Sequence, residues 1–423
     1  MDTPSNCAEF CPKNHFYNVN NTLQYTKLVW RDNCDRNPLY PQGGTWVYDR
    51  SNWCPGAEVW TYDMELTPFV TPGNTAILNH DVQAYVQTGG WDYYQIEDQV
   101  VYYDAPSFTL DASIDDIISP STNQMWLRYN PVCTNPIVKI TNTGSTALTS
   151  LTITYGLNTG TPAVYNWTGN LAFLESQDVT LPIFPWAQGA TSFTVTISSP
   201  NGGADQYAYN NSRTSSYVYP PVMPSPMVIE FKTNNYAWEN DYTLKNSAGV
   251  IIHSRSNLLN NTVYKDTLTL PYDCYTFELL DTGEDGLSWW ANTAQGSGYI
   301  RFRSATSNQI LKSFGNDFGG QVYQQFTVGL TSSTTDYIMT NQLEMHVYPN
   351  PSDGHVYIDV NMTKRDNGLI EIHDMLGKKV YSYRFENLTA ESVEADLSFL
   401  DKGVYFVTLT TGDQKVSRKL MMD

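Results

Sequence analysis

Near the start of the chain Glu9 stands between Cys7 and Cys11, and Arg50 stands four residues before Cys54. A carboxylate in so short a loop can hydrogen-bond a water or a sugar hydroxyl. An arginine can polarise a carbonyl or orient a carboxylate in its planar fork. Phe10 and Trp53 lie beside them in the sequence, and each offers a ring face on which a sugar can stack. Plain structural readings stand beside these. Glu9 also reads as a solvated loop residue, Arg50 as a surface or ion-paired arginine, and Trp46 and Trp53 as core aromatics.

A second group lies at Asp281-Thr282-Gly283-Glu284-Asp285-Gly286. Acidic residues interleaved with glycine can wrap a hard cation, so Asp281, Glu284 and Asp285 are candidate ligands for a structural calcium ion. The segment departs from the twelve-residue calcium loop and also reads as a plain β-turn. No other cofactor is expected. The histidines (His15, His80, His253, His346, His355, His373) are scattered along the chain, which argues against a copper site. Trp289 and Trp290 follow the acidic turn. On a strand they would point to opposite faces, leaving one exposed as a carbohydrate platform.

These groups must be held by β-structure. Aromatic residues make up 13% of the 423 residues, tyrosine alone occurs 30 times, and charged residues reach only 16%. Tyr, Trp, Thr and Val suit half-buried pleated surfaces, and no long amphipathic helical pattern is present. The fold class expected is all-β: tandem β-sandwich or jelly-roll modules closed by a small C-terminal β-sandwich. A net charge of −19 argues against a nucleic-acid partner, which needs clustered Lys and Arg. No apolar run approaches the ~20 residues of a membrane span. The first residues lack the basic and apolar regions of a signal peptide.

Four modules are expected. Residues 1–104 are dense in Trp, Tyr and Asn. Residues 111–217 carry strand patterns at Ile137–Ile140, at Leu148, Leu151, Ile153 and Tyr155, and at Phe193, Val195 and Ile197, with turns at Asn142-Thr143-Gly144 and Asn201-Gly202-Gly203. Tyr219–Pro226 is proline-rich, stiff and extended, and marks a boundary. Residues 227–329 show strands around Met227–Lys232, Thr267–Leu270, Thr276–Leu280 and Gln325–Val328. After a polar linker, residues 345–423 alternate at Val356, Ile358 and Val360, and again at Ile370 and Ile372. A last strand follows at Val404, Phe406 and Leu409. Four of the six cysteines fall within the first 54 residues, an arrangement that an oxidising compartment would bridge. Spacing alone leaves all three pairings open, and the absence of CxxC argues against zinc.

Longer motifs carry two family resemblances. Val347-Tyr348-Pro349-Asn350-Pro351, Ile372-His373-Asp374-Met375-Leu376-Gly377-Lys378 and Lys402-Gly403-Val404-Tyr405 follow the order of the C-terminal sorting domain of type IX secretion cargo in the Bacteroidetes. That resemblance implies a secreted or cell-surface protein, exported through the outer membrane, with the type IX secretion machinery as a partner. Asn6-Cys7-Ala8-Glu9-Phe10-Cys11, Arg31-Asp32-Asn33-Cys34 and Asp49-Arg50-Ser51-Asn52-Trp53-Cys54 are similar to the C-terminal jelly roll of the peptide-N-glycosidase F family. The middle modules resemble, more diffusely, an immunoglobulin-like adhesion module and a jelly-roll-like accessory module.

The second resemblance implies bridges Cys7–Cys11 and Cys34–Cys54, leaving Cys133 and Cys274 without an assigned partner. It implies an amidase that cleaves glycan from asparagine in N-linked glycoproteins, in a cleft between two jelly rolls. Glu9 and Arg50 map onto auxiliary residues of the second roll. Phe10 stands where the family has tryptophan. The principal catalytic aspartate belongs to the first roll, which has no counterpart here, so the chain is expected to be truncated at its N-terminus and inactive alone. The expected function is that of an exported relative of the amidase, active when complete. The rival is a glycan-binding or adhesion protein without catalysis.

Overall fold

The computed structural model describes residues 10–39, 47–85, 95–329, 343–412 and 414–423, with the backbone alone at Thr363. The chain divides into two compact units, Met1–Tyr102 and Tyr103–Asp423. The described structure is nearly all β, with several separate sheets. Among the described residues no helix is long and apolar enough to cross a membrane.

In the first unit, β1 (Lys13–Val19) pairs antiparallel with β2 (Thr22–Val29) and β3 (Leu78–Val82), giving the order β2-β1-β3. Asn20 and Asn21 take positive φ in the tight turn between β1 and β2, a conformation that asparagine tolerates better than most residues. The long excursion between β2 and β3 is tied down twice. Arg31 and Arg50 form an antiparallel bridge, with N–O distances of 2.7 and 3.0 Å, and Cys34 is bonded to Cys54.

The described residues of the second unit form three apolar cores. The first, in residues 112–217, lies between two sheets. One is ordered β4-β5-β8 (β4 Ala112–Ser119, β5 Ile137–Asn142) and the other β10-β9-β6-β7 (β6 Leu148–Leu157, β7 Ala163–Leu171, β8 Ser176–Thr180, β9 Ser192–Ser198, β10 Ser212–Ser216). The alternation of Leu151, Ile153 and Tyr155, and of Phe193, Val195 and Ile197, fills this core, as period-2 patterning requires. Asn201 does not sit in a hairpin. It lies in a short 3₁₀ turn, Pro200–Gly202, and its Oδ1 accepts from the Thr149 amide at 2.7 Å.

The next core occupies residues 223–328, between the sheets β11-β19-β16-β13-β14 and β15-β12-β17-β18. Its strands are β11 (Val222–Met223), β12 (Met227–Lys232), β13 (Asn240–Asn246), β14 (Ile251–Arg255), β15 (Val263–Leu268), β16 (Asp273–Asp281), β17 (Tyr299–Ser304), β18 (Ile310–Ser313) and β19 (Gln321–Val328). The proline-rich stretch is therefore no free spacer. Val222 and Met223 pair parallel to β19, Met223 is fully buried, and Tyr219 packs on the preceding core. Apolar side chains on both sides of the stretch hold it down, which its proline content alone did not indicate.

The C-terminal module is built from β20 (Glu344–Tyr348), β21 (His355–Asp374), β22 (Lys379–Asp396), β23 (Gly403–Thr410) and β24 (Lys415–Met422), in the order β20-β21-β23-β24 with β22 also on β21. Val356, Ile358, Val360, Ile370 and Ile372 face its core. In β23 the register differs from the sequence reading. Tyr405, Val407 and Leu409 face inward and Phe406 is exposed, because Leu409 fixes the odd-numbered face. This module docks on the preceding one through a buried polar network. Asp359, fully buried, accepts from Arg301 at 3.0 Å and from the Tyr348 hydroxyl at 2.8 Å, and also from Ser313 and Ser392.

Candidate functional site

In the first unit the chain after β2 returns as Tyr48–Cys54 beside Phe10 and Cys11. The Arg31–Arg50 bridge fixes the backbone of Arg50, and the Cys34–Cys54 bond anchors the far end of the segment. The loop this bond closes, with a sequence separation of 20, would be stabilised by about 3 kcal/mol on the chain-entropy model. Between these ties the Arg50 side chain is 2% exposed. Its guanidinium carbon lies 4.7 Å from the Trp53 ring centre and 5.3 Å from that of Phe10. Such stacking suits the weakly hydrated guanidinium better than an ammonium. Phe10 meets Tyr48 edge-on at 6.2 Å, and the Ser51 hydroxyl donates to the Cys11 carbonyl at 3.3 Å.

The structure thus brings together Arg50, Phe10 and Trp53, three residues separated by up to 43 positions in the sequence. Trp53 remains partly exposed at 38%, so one end of the cluster is open to a ligand. Glu9 and Cys7 lie outside the described residues, as does Trp46. Cys11 is disulfide-bonded, and no cysteine among the described residues is free.

Two neighbouring features escaped the sequence reading. Arg31, also buried, stacks on Trp60 at 4.5 Å and donates to the Glu58 carbonyl at 2.7 Å. The histidines are not all scattered. His15 and His80 are brought together on β1 and β3, with Nδ1 of His15 2.9 Å from Nε2 of His80. His80 in turn pairs with Asp98 at 2.9 Å and stacks on Tyr17 at 4.2 Å. Burial, then His80, lowers the pKa of His15, while Asp98 opposes them. The sequence signal was the alternation of His15 with Tyr17, but nothing local specified pairing with a strand more than sixty residues away.

The acidic turn is placed differently from its sequence reading. Asp281 ends β16 and Asp285 follows in the loop, and both are buried. The third carboxylate beside them is Glu239, from a short 3₁₀ turn Ala237–Glu239, with ligand oxygens of the three within 4.8 Å of one another. Glu284, at positive φ, is half-buried and is not one of the three. Burial, with Asp285 adding to it, pushes Glu239 up to about 7. Burial, then Asp285 and Glu239, pushes Asp281 up to about 8. Asp317 is pushed up to about 7 by burial and then by Asp285. Trp289 and Trp290 follow in the same loop rather than on a strand; Trp290 is exposed and Trp289 half-buried.

Cys133 and Cys274 are bonded to each other across a sequence separation of 141. The bond joins the loop after β4 to the start of β16, reinforced by Gln325, whose Oε1 accepts from the Cys133 amide at 2.7 Å. An even cysteine count was the only hint of it in the sequence.

Comparison with known proteins bears on both ends of the chain. Residues 3–91 match the family model described as peptide-N-glycosidase F, C terminal, and residues 346–423 match that of the secretion system C-terminal sorting domain. The peptide-N(4)-(N-acetyl-beta-D-glucosaminyl)asparagine amidase F of Elizabethkingia miricola is 32% identical over 98 residues, covering 22% of this chain and 27% of that protein. The chain therefore spans about a quarter of the length of this curated relative. Among solved structures, the BSP domain of a biofilm associated protein aligns over 76% of this chain and 68% of its own, at 8% identity and a TM-score of 0.24. Chicken CNTN1 FN1-FN3 domains align over 74% and 97%, at 9% identity and a TM-score of 0.16. Scores this low carry no argument. The N-terminal block is related to peptide-N-glycosidase F, and the C-terminal block is a type IX sorting domain, so the protein is exported.

Proposed function

We propose that the N-terminal unit is the second-domain half of a peptide-N-glycosidase F-like amidase cleft, carried out of the cell by the sorting domain. Arg50 forms the floor of this half-cleft, Phe10 and Trp53 flank it, and Glu9, the residue before Phe10, is assigned to the same site from the sequence. The substrate class is N-linked glycoprotein. The glycan-bearing amide is held over the Trp53 face, and Arg50 orients its carbonyl or the carboxylate that acts on it. The principal base comes from a first jelly roll, so residues 1–423 alone do not hydrolyse the bond.

The observation that supports this most is the clasping of Arg50 between Phe10 and Trp53, within the stretch related to the amidase. Exposed apolar side chains on the same unit, including Leu23, Leu28, Ile77 and Leu78, suit a sheet that packs on a neighbouring domain.

The test is release of N-glycan from a denatured glycoprotein, by residues 1–423 and by the gene product extended upstream to include a first jelly roll. Conversion of asparagine to aspartate by the extended protein, weakened in Glu9→Gln and Arg50→Lys, supports the reading. Release by residues 1–423 alone would overturn the half-site assignment. No conversion by a folded extended protein would favour glycan binding instead. For that second reading the relevant observation is exposed Trp238, in the 3₁₀ turn Ala237–Glu239, and exposed Trp290, in the loop after β16, and a glycan array with Trp238→Ala and Trp290→Ala addresses it.

A further inference from the structure

At one end of the third module, polar side chains from four parts of the chain meet, and oxygens of three carboxylates lie within 4.8 Å of one another. Glu239 closes the 3₁₀ turn before β13, Asp281 closes β16, Asp285 lies in the following loop, and Gln295 lies in the 3₁₀ turn Thr293–Gln295. The backbone locks these parts together. Thr282 N donates to the Glu239 carbonyl at 2.9 Å, Leu287 N to the Asn316 carbonyl at 2.7 Å, and Asn235 N to the Gln295 carbonyl at 2.8 Å. Both glycines of the turn are needed for this approach. A Cβ on Gly283 would lie 2.2 Å from Glu239 Oε2, and one on Gly286, at φ +75°, would lie 2.5 Å from the Asn316 carbonyl oxygen.

The hydrogen bonds leave a specific remainder. Asp281 accepts from Asn240 Nδ2 and from the Gly283 amide, both at 2.8 Å, and Asp285 accepts from Gln295 Nε2 at 2.6 Å. Each amide side chain thus donates into the cluster with its nitrogen. Its oxygen, Asn240 Oδ1 or Gln295 Oε1, is buried and without a partner, and these residues are 3% and 4% exposed. Glu239 Oε1, Asp285 Oδ1 and Asp317 Oδ1 are likewise buried and without a hydrogen-bond partner. Among the described residues, no Lys, Arg or His pairs with any of these carboxylates. Burying ionised carboxylates together without a cation costs several kcal/mol per group, and a buried acceptor left unpaired adds more. Every free donor atom is oxygen, carboxylate or amide, and none is nitrogen or sulfur. That set selects a hard divalent cation with a high coordination number.

We propose that Glu239, Asp281 and Asp285, with the neighbouring carboxylate of Asp317, bind one calcium ion, and that the amides of Asn240 and Gln295 turn over on binding to offer it their unpartnered oxygens. The ion ties the end of the 3₁₀ turn to the loop after β16 and neutralises charge that the protein does not otherwise balance.

The test is calorimetric titration of calcium chloride into chelator-stripped residues 1–423, together with thermal unfolding with and without calcium. The expected result is one calcium ion per chain, a melting temperature raised by several degrees, and binding of magnesium at least tenfold weaker. The double variant Glu239→Gln/Asp285→Asn is expected to lose this binding and the thermal response. Its melting temperature in chelator should equal or exceed that of the wild type, because repulsion is relieved, and this separates loss of the site from loss of the fold. Absence of both calcium heat and a melting shift in the wild type would overturn the proposal, as would undiminished binding in the folded double variant.

Discussion

Among the described residues of 10–102 the buried apolar side chains are Val19, Val29, Cys34 and Cys54, whereas residues 223–328 enclose Phe231, Tyr242, Phe277, Phe302 and Phe326 with many aliphatic neighbours. The described part of the first unit therefore takes little of its order from apolar burial. It relies on a disulfide, on a backbone bridge between two arginines, and on guanidinium groups laid on Trp53 and Trp60. The second unit has the usual interdigitated cores and adds buried charge, both where modules meet, at Asp359 and Arg301, and within the third module, at Asp266, Asp281 and Asp285. The contrast indicates which perturbation each unit should feel: the first, reduction and loss of stacking; the second, loss of a core or of a charge partner.

The largest effect should follow Asp359→Asn. It leaves Arg301 buried with its charge uncompensated, at a cost of about 3–5 kcal/mol. Denaturant unfolding should show this loss in the second unit, with hydrogen exchange of residues 10–85 unchanged. An equal loss of protection in both units would break the comparison. Next is Cys34→Ser with Cys54→Ser. About 3 kcal/mol should be lost, and because few apolar side chains are buried among the described residues of the first unit, this should expose residues 10–85 to exchange and proteolysis. Protection retained at wild-type level would show that apolar contacts suffice there.

Third is Asp266→Asn, at about 2 kcal/mol near neutral pH. Burial alone would raise this carboxyl, but Arg255, Tyr242 and His253 hold it at about 2. Because the folded value lies below the ordinary 3.8, the stabilisation is complete above that pH and is lost as pH falls through about 2. The variant should therefore be weaker at pH 7 and show a shallower acid limb between pH 4 and 2. The smallest effect is expected for Arg50→Met, about 1 kcal/mol from lost stacking. It should appear as a lower melting temperature of the first unit, and Arg50→Lys should recover only part of it, because an ammonium stacks less well.

Both ends of the chain were legible because long motifs identify them, and the β character was legible because Val356, Ile358 and Val360, or Phe193, Val195 and Ile197, alternate along continuous strands. Such periodicity is local, and local information survives in sequence. The inward face of β23 was misread because Val404, Phe406 and Leu409 do not share one parity, so hydrophobicity alone could not fix the register. The acidic turn was found as Asp281 and Asp285 but completed with Glu284, its neighbour in sequence, instead of Glu239, its neighbour in space.

By itself the sequence determined the β character of the chain and which relatives its two ends have. Tertiary structure decided the Cys133–Cys274 bond, the docking of Asp359 on Arg301, the meeting of His15 with His80, and the convergence of Glu239, Asn240 and Gln295 on Asp281 and Asp285. The physical reason is the same in each case. Strand pairing and sheet packing bring together atoms that lie tens of residues apart, and no periodic pattern encodes which distant residue a buried charge or thiol will meet.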